Sequence, residues 1–465
     1  MLFGDWIVGY HLASLILHAV CVSLLFRFLK KIGIGAQIAL LLSAIFAVHP
    51  ALTQAVAWIP GSNDALLFLF GILFLTDVLE YFSSPRNSVL ARTGLWLLLA
   101  LFTKESAIAL LPAALLLPVK KPSSLKNRIV LCGASLLSVM VWYCAMLFAH
   151  ATLQWTGIRS LSSDLFHRLP MIPQYTEKFF VPFNLGVYPT IPETVIWPGL
   201  LILAGLLTIL IFDRKQRLTL FKALATFLVL LLPALLVPHA GINQVAFEHR
   251  VYLPSIGLMM FIGLSFNVTD EKIKLTFTRA AMACLVALSA VNYNRQSCFA
   301  GPEKFWADAL RCSPSNAFVH LMRAENPDDP TMAKTEYYKA LNLNPKLKYL
   351  NLRFGMYWYN HNQTDSSLKY FNNDYSLRKT FLCHYYYAHI AFRQHNYEAA
   401  RNELRLFIMN DPEWDHKTDG RAILSLQEAD FKKISDELAI KNRKCANKLV
   451  LITERMGIKD MKLFY

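Results

Sequence analysis

The 465-residue sequence contains no CxxC pair and no HExxH stretch, so the common dithiol and zinc-hydrolase motifs are excluded. Its eight cysteines lack the close spacing of a disulfide framework. Cys21, Cys132, Cys144 and Cys284 fall inside apolar blocks and read as small apolar residues, whereas Cys298, Cys312, Cys383 and Cys445 lie further on. Acidic residues are scarce, 32 against 47 basic, for a formal net charge of +15. Long apolar runs are absent after Tyr293, which predicts a soluble region there.

Before Tyr293 the pattern reverses. The chain is 55% hydrophobic and 13% aromatic, with a mean hydropathy of +0.34. Its apolar residues gather into blocks near 10–29, 34–48, 64–82, 89–119, 128–149, 195–212, 219–238, 251–268 and 278–292. That is the pattern of an all-α, polytopic membrane protein. The predicted division is a transmembrane domain over 1–292 and a helical domain over 293–465.

A spanning helix needs about 20 apolar residues. The block Val89–Val119 has 31, too many for one and few for two, and Lys104 and Glu105 stand at its midpoint. If the chain turns at Thr103-Lys104-Glu105, sixteen Lys and Arg fall on one membrane face and five on the other. If the block is a single helix, the split collapses to 9 against 11 with Lys104 inside the membrane. The positive-inside rule selects the turn. Ten membrane helices follow, in the cytoplasmic membrane, with the N-terminus, the loops 49–63, 150–194 and 239–250, and the C-terminal domain outside. Most of the positive charge then sits on cytoplasmic loops, and no nucleic-acid partner is needed to explain it.

The outer acids are Asp5, Asp64, Glu105, Asp164, Glu177, Glu193 and Glu248. Carboxylates at helix ends facing a shared cavity suit general-base work or metal binding. Asp64 also suits a helix cap, because it follows "PGSN" and opens an apolar helix. Glu177 and Glu193 read as solvated loop residues. Asp77 and Glu80 lie near the cytoplasmic end of their helix and read as interfacial.

In the tail, Pro314, Pro345 and Pro412 each close a helix-like run, at spacings of 31 and 67 residues. The second spacing is about twice 33, which predicts a degenerate unit lacking its proline near 375–380. Tetratricopeptide repeats (TPRs) have this period, and Ala333, Tyr337, Ala340, Ala388 and Ala400 provide their small and large core positions. Such a solenoid binds protein partners on a concave face.

Six segments occur in a fixed order: "YHLASLILHA" (10–19), "HPALTQAVAWIPGSND" (49–64), "LLLALFTKESAIALLP" (97–112), "FFVPFNLGVYPT" (179–190), "LLPALLVPHAGINQVAFEHRVYLPSIGL" (231–258) and "NYNRQSCFAGPEKFWADALRCSPSNAFVH" (292–320). Together they closely resemble the transmembrane, TPR-containing O-mannosyltransferase-like proteins and their bacterial relatives within the GT-C glycosyltransferases. The resemblance covers nearly the whole chain. It implies a GT-C-like helix bundle that moves a sugar from a polyprenyl-phosphate donor to a protein, glycan or lipid acceptor on the extracytoplasmic face.

Carried over residue by residue, the resemblance makes His49, Asp64, Lys104, Glu105, Glu248, His249 and Arg250 the lining of an outer cavity. Asp64, Glu105 and Glu248 would do the acid–base work or orient a divalent metal ion. Lys104, Arg250, His249 and His49 would hold the donor phosphate. Two departures stand out. In the family an additional first helix precedes an external loop with the acidic residue expected as base, whereas this sequence opens at "MLFGDWIVGYHL", resembling the end of that loop, with Asp5 its one carboxylate. Ser62 also stands where relatives usually carry a basic residue. A truncated gene or miscalled start is the expectation, and a catalytically inactive, membrane-anchored TPR scaffold is the alternative function; a transporter is a third.

Overall fold

The computed structural model describes residues 4, 6–119, 123–149, 165–182, 184–236, 245–267, 271–327 and 329–410. Among these residues every regular element is helical, and the one β-type pairing is an isolated bridge between Thr190 and Val245. Asp5, Asp164, Pro412 and Cys445, all used in reading the sequence, lie outside the described residues, as do Lys120, Lys121 and Arg159 among the basic loop residues counted there.

Each apolar block forms helix. The first, Ile7–Lys31, ends with Lys30 and Lys31 in its last turn and a left-handed Gly33 (φ 101°) two residues beyond. Basic side chains complement the negative end of the helix dipole, and glycine takes the left-handed conformation without Cβ strain. Ala36–Val48 stops at Pro50, which cannot donate into the ladder, and the chain bends by 54° into the short helix Thr53–Ala57. His49 bridges this break, its Nδ1 accepting from Ala51 N–H at 3.3 Å and its Nε2 donating to Phe179 O at 2.8 Å.

The long block is broken at its charged centre. One helix, Asn87–Thr103, ends at Lys104, whose backbone is extended (φ −160°, ψ 134°). A 3-10 turn Glu105–Ala109 and the helix Leu110–Leu115 follow. Among the described residues, five helices are long and apolar enough to cross a membrane, or six if the bent pair counts as one span. Asn87–Thr103, Glu105–Leu115, Trp197–Phe212 and Ser255–Ser265 are apolar but shorter, so helix length does not establish ten spans.

The chain divides into two units after Ser313. The core of the first contains Phe28, Phe46, Phe68 and Tyr252, whose rings meet at centroid distances of 5.1–5.2 Å where Phe46, Phe68 and Tyr252 converge. Its outer helix faces expose Leu12, Leu15, Ile16, Leu136, Leu137 and Val286. Exposed aliphatic faces on helices with satisfied backbones are what a bilayer accepts. Gly257 permits a close helix crossing: a Cβ there would lie 2.3 Å from Phe227 N. Asp77 and Glu80 form an ion network with Arg92, Lys31 and Arg86; Arg92 grips Asp77 through two hydrogen bonds of 2.5 and 2.8 Å.

The second unit consists of helical hairpins: Ala317–Glu325 with Pro330–Leu343, Leu350–Asn360 with Thr364–Arg378, and Leu382–Arg393 with Tyr397–Asn410. The first helices begin 33 and 32 residues apart and the second helices 34 and 33. The small and large positions read from sequence, Ala333, Tyr337, Ala340, Ala388 and Ala400, are all buried. Pro345 follows the first hairpin, whereas the second closes without proline on Lys379 in the left-handed region (φ 54°). His320 Nε2 and Asn351 Nδ2 donate to the carbonyls of Pro314 and Pro345, each six residues earlier, at 2.8 and 3.1 Å. The same contact thus opens the first and second hairpins.

Candidate functional site

Asp64 enters the first turn of the helix Ser62–Ser83 and is 5% exposed. Its partner is Lys104, forty residues away, whose Nζ lies 2.9 Å from both carboxylate oxygens. The extended backbone at Lys104 aims its side chain at Asp64 rather than at the neighbouring Glu105. Glu105 is exposed and forms no ion pair among the described residues.

His249 lies on the other side of Asp64. It belongs to the 3-10 turn Glu248–Val251, and its Nε2 stands 3.8 Å from Asp64 Oδ2. Its ring clusters with those of Trp58 and Phe247 at 5.4 and 5.2 Å, and these two rings also stack on each other at 5.8 Å. Gln54 Oε1 accepts from both its backbone N–H (3.1 Å) and its Nδ1 (3.2 Å), while Gln54 Nε2 donates to Val187 O at 2.8 Å. Arg250 places its guanidinium 5.4 Å from the Phe247 ring centroid and donates to Val245 O at 3.4 Å.

Glu248, one residue from His249, has a different environment. It is fully buried and accepts from Lys178 Nζ (3.1 Å), Gly186 N–H (2.7 Å) and Arg295 Nη2 (2.7 Å). Arg295 also approaches Asp308 Oδ2 at 3.5 Å; Asp308 accepts from Val187 N–H at 2.9 Å and from Arg311 at 2.7 and 3.1 Å. Two buried acids and three cations lock the turn Gly186–Val187 and the helix Pro302–Cys312 to Glu248.

Glu177, read from sequence as solvated, is buried in the helix Met171–Phe180, and its Oε2 has no hydrogen-bond partner among the described residues. Burial raises its pKa above the usual glutamate value, and the nearby Lys178 only partly opposes that rise. Glu193 accepts from Thr190 Oγ1 at 2.9 Å.

The structure therefore gathers Asp64, Lys104, His249 and Arg250 around one end of the first unit, with Glu248 anchoring the turn beneath. His49 sits in the same region, both ring nitrogens engaged with backbone. Gln54, Lys178, Arg295 and Asp308 were not distinguished by sequence reasoning. All but Lys178 lie in the quoted motif segments, and that recurrence was the signal available. Among the described residues no three His, Cys, Asp or Glu side chains converge on a metal-sized site. With both Asp64 oxygens on Lys104, the residues do not fit a divalent cation, and no step is derived through one.

Comparison with known proteins gives relatives of low identity. The chain is 28% identical over 190 residues to Protein O-mannosyl-transferase Tmtc1 of Drosophila melanogaster, covering 41% of this chain and 21% of the relative. It is 22% identical over 368 residues to Protein O-mannosyl-transferase F38B6.6 of Caenorhabditis elegans, covering 73% and 51%. Over 399 residues it is 22% identical to Protein O-mannosyl-transferase TMTC4 of Homo sapiens, covering 69% and 53%. No family model and no solved structure matches the chain. The chain is thus similar, at low identity, to proteins named as O-mannosyl-transferases, and spans at most about half the length of these curated relatives.

Proposed function

We propose that the protein is a GT-C-like glycosyltransferase that moves a sugar from a polyprenyl-phosphate donor to a hydroxyl of a protein or glycan acceptor on the extracytoplasmic face of a membrane. The observation carrying this reading is the Lys104–Asp64–His249 cluster. It joins three of the ordered segments that resemble the O-mannosyltransferase-like proteins, and the relatives, named as O-mannosyl-transferases, support that reading.

The chemistry suits the charges. A polyprenyl phosphate leaves as a dianion and needs cations nearby. Lys104 is a partly exposed ammonium held by one carboxylate, and Arg250 lies on the same turn as His249. When donor phosphate binds, Lys104 shares its three donors between Asp64 and the phosphate, while Asp64 keeps the ammonium oriented. The apolar helix faces give the donor's lipid tail a route from the bilayer.

The tandem hairpins of the second unit favour a TPR-like role in binding protein acceptors or partners. Their period supports that role within a transferase and equally within an inactive scaffold. The test is transfer from radiolabelled polyprenyl-phosphate sugars by the full chain in vesicles, with Lys104→Ala as the matched variant. Transfer should occur with wild type and fall about 10²–10³-fold with Lys104→Ala when normalised to membrane-inserted protein. Equal activity of the two proteins would remove Lys104 from the mechanism, and no transfer with partner capture intact would favour the scaffold.

A further inference from the structure

We infer that Gln54 is a positioning residue that sets the tautomer of His249, making Nε2 the atom that receives the acceptor's hydroxyl proton; this rests on the transferase reading above. Gln54 is fully buried in the short helix Thr53–Ala57. Its Nε2 faces Val187 O at 2.8 Å, an atom that can only accept, so the orientation of the amide is fixed. Oε1 must then be the atom facing His249, where it lies 3.1 Å from the backbone nitrogen and 3.2 Å from Nδ1. An amide oxygen cannot donate. Nδ1 therefore carries a hydrogen, and in the neutral ring the lone pair belongs to Nε2.

That nitrogen faces Asp64 Oδ2 at 3.8 Å. The separation exceeds a hydrogen bond, yet it is close enough for the carboxylate to stabilise an imidazolium. Trp58 and Phe247, which also contact each other at 5.8 Å, pack against the ring and restrict its rotation. Asp64 thus faces two groups, a permanent cation in Lys104 and a ring that becomes one during reaction.

In the transfer step the acceptor oxygen forms its bond to the anomeric carbon as the bond from that carbon to the phosphate oxygen breaks. The bonding pair departs on the phosphate, leaving polyprenyl phosphate as a dianion. The hydroxyl proton passes to His249 Nε2, and the imidazolium then gives it to water as products leave. The arrangement is the oriented-base logic of acyl transfer, with an amide in place of the orienting carboxylate.

Two variants test this with opposite expected signs, each measured as a pH–rate profile of the full chain in vesicles. Gln54→Glu puts a carboxylate on Nδ1–H, stabilises the imidazolium, and should move the acid limb of kcat upward by about one pH unit or more. Gln54→Met has similar volume but no acceptor, and should lower kcat and move the limb downward while the donor KM changes little. A purely structural Gln54 gives no opposed shifts. Wild-type transfer with all three profiles superimposed would overturn the inference alone. Absence of transfer by wild type would overturn the transferase reading and the inference with it.

Discussion

Asp64 and Glu248 have the same charge, sit at the same end of the first unit, and flank the same histidine, yet they differ in how they are satisfied. Glu248 is fully buried, and its two oxygens receive donors from Lys178, Arg295 and Gly186 N–H. Asp64 has a cation that is itself about one quarter exposed, together with an imidazole beyond hydrogen-bond distance. Ion pairs removed from water hold their geometry because breaking them strands a charge, whereas a partly solvated ammonium can be shared with an incoming ligand. Glu248 therefore positions the turn that carries His249 and Arg250, and Asp64 organises the reactive face. The family resemblance implies one shared role for both carboxylates, and their surroundings separate them.

Breaking the locked half should have the largest effect. Glu248→Ala leaves Lys178 and Arg295 buried without their shared anion, at a cost of about 3–5 kcal/mol, read as a lowered unfolding temperature in detergent and a loss of membrane-inserted protein. Lys104→Ala strands the Asp64 carboxylate beside a partly solvated gap and should lower that temperature less than Glu248→Ala does, while lowering transfer about 10²–10³-fold, the usual cost of removing one group that stabilises developing charge.

Glu177 sharpens the comparison as a third case, an acid buried with one oxygen unbonded. Its raised pKa means that the folded state favours the protonated form more than the unfolded state does. Its contribution is most favourable below the unfolded glutamate pKa and is lost as pH rises through the folded value. Glu177→Gln should thus stabilise the protein at neutral pH by about 1–3 kcal/mol, with the advantage shrinking as the medium is acidified. Thermal unfolding at several pH values checks both sign and trend. The smallest effect belongs to Glu105→Gln: an exposed acid with no ion pair should change stability by less than about 0.5 kcal/mol and leave transfer intact.

Much of the architecture was legible because it depends on local patterns. Apolar blocks gave the helices. The excess length of Val89–Val119 exposed the break at Lys104, and the later helices pair as hairpins whose first helices start 33 and 32 residues apart. Pairing was not legible, because it is decided by chains meeting in space. Lys104 reaches Asp64 rather than Glu105, since adjacent residues do not face each other and its extended backbone turns the side chain away. The partners of Glu248 lie 70 and 47 residues away. Glu177 looked solvated because its short helix lies in a polar stretch, and only the fold shows that nearly every side chain of that helix is buried.

The most direct measurement is equilibrium binding of a polyprenyl monophosphate to the full chain in lipid nanodiscs, comparing wild type with Lys104→Ala and Glu105→Gln. The account predicts that wild type and Glu105→Gln bind alike and that Lys104→Ala loses the phosphate-dependent part of the affinity. Equal binding by all three would place the donor phosphate elsewhere and contradict the assignment of the Asp64–Lys104 cluster to the donor.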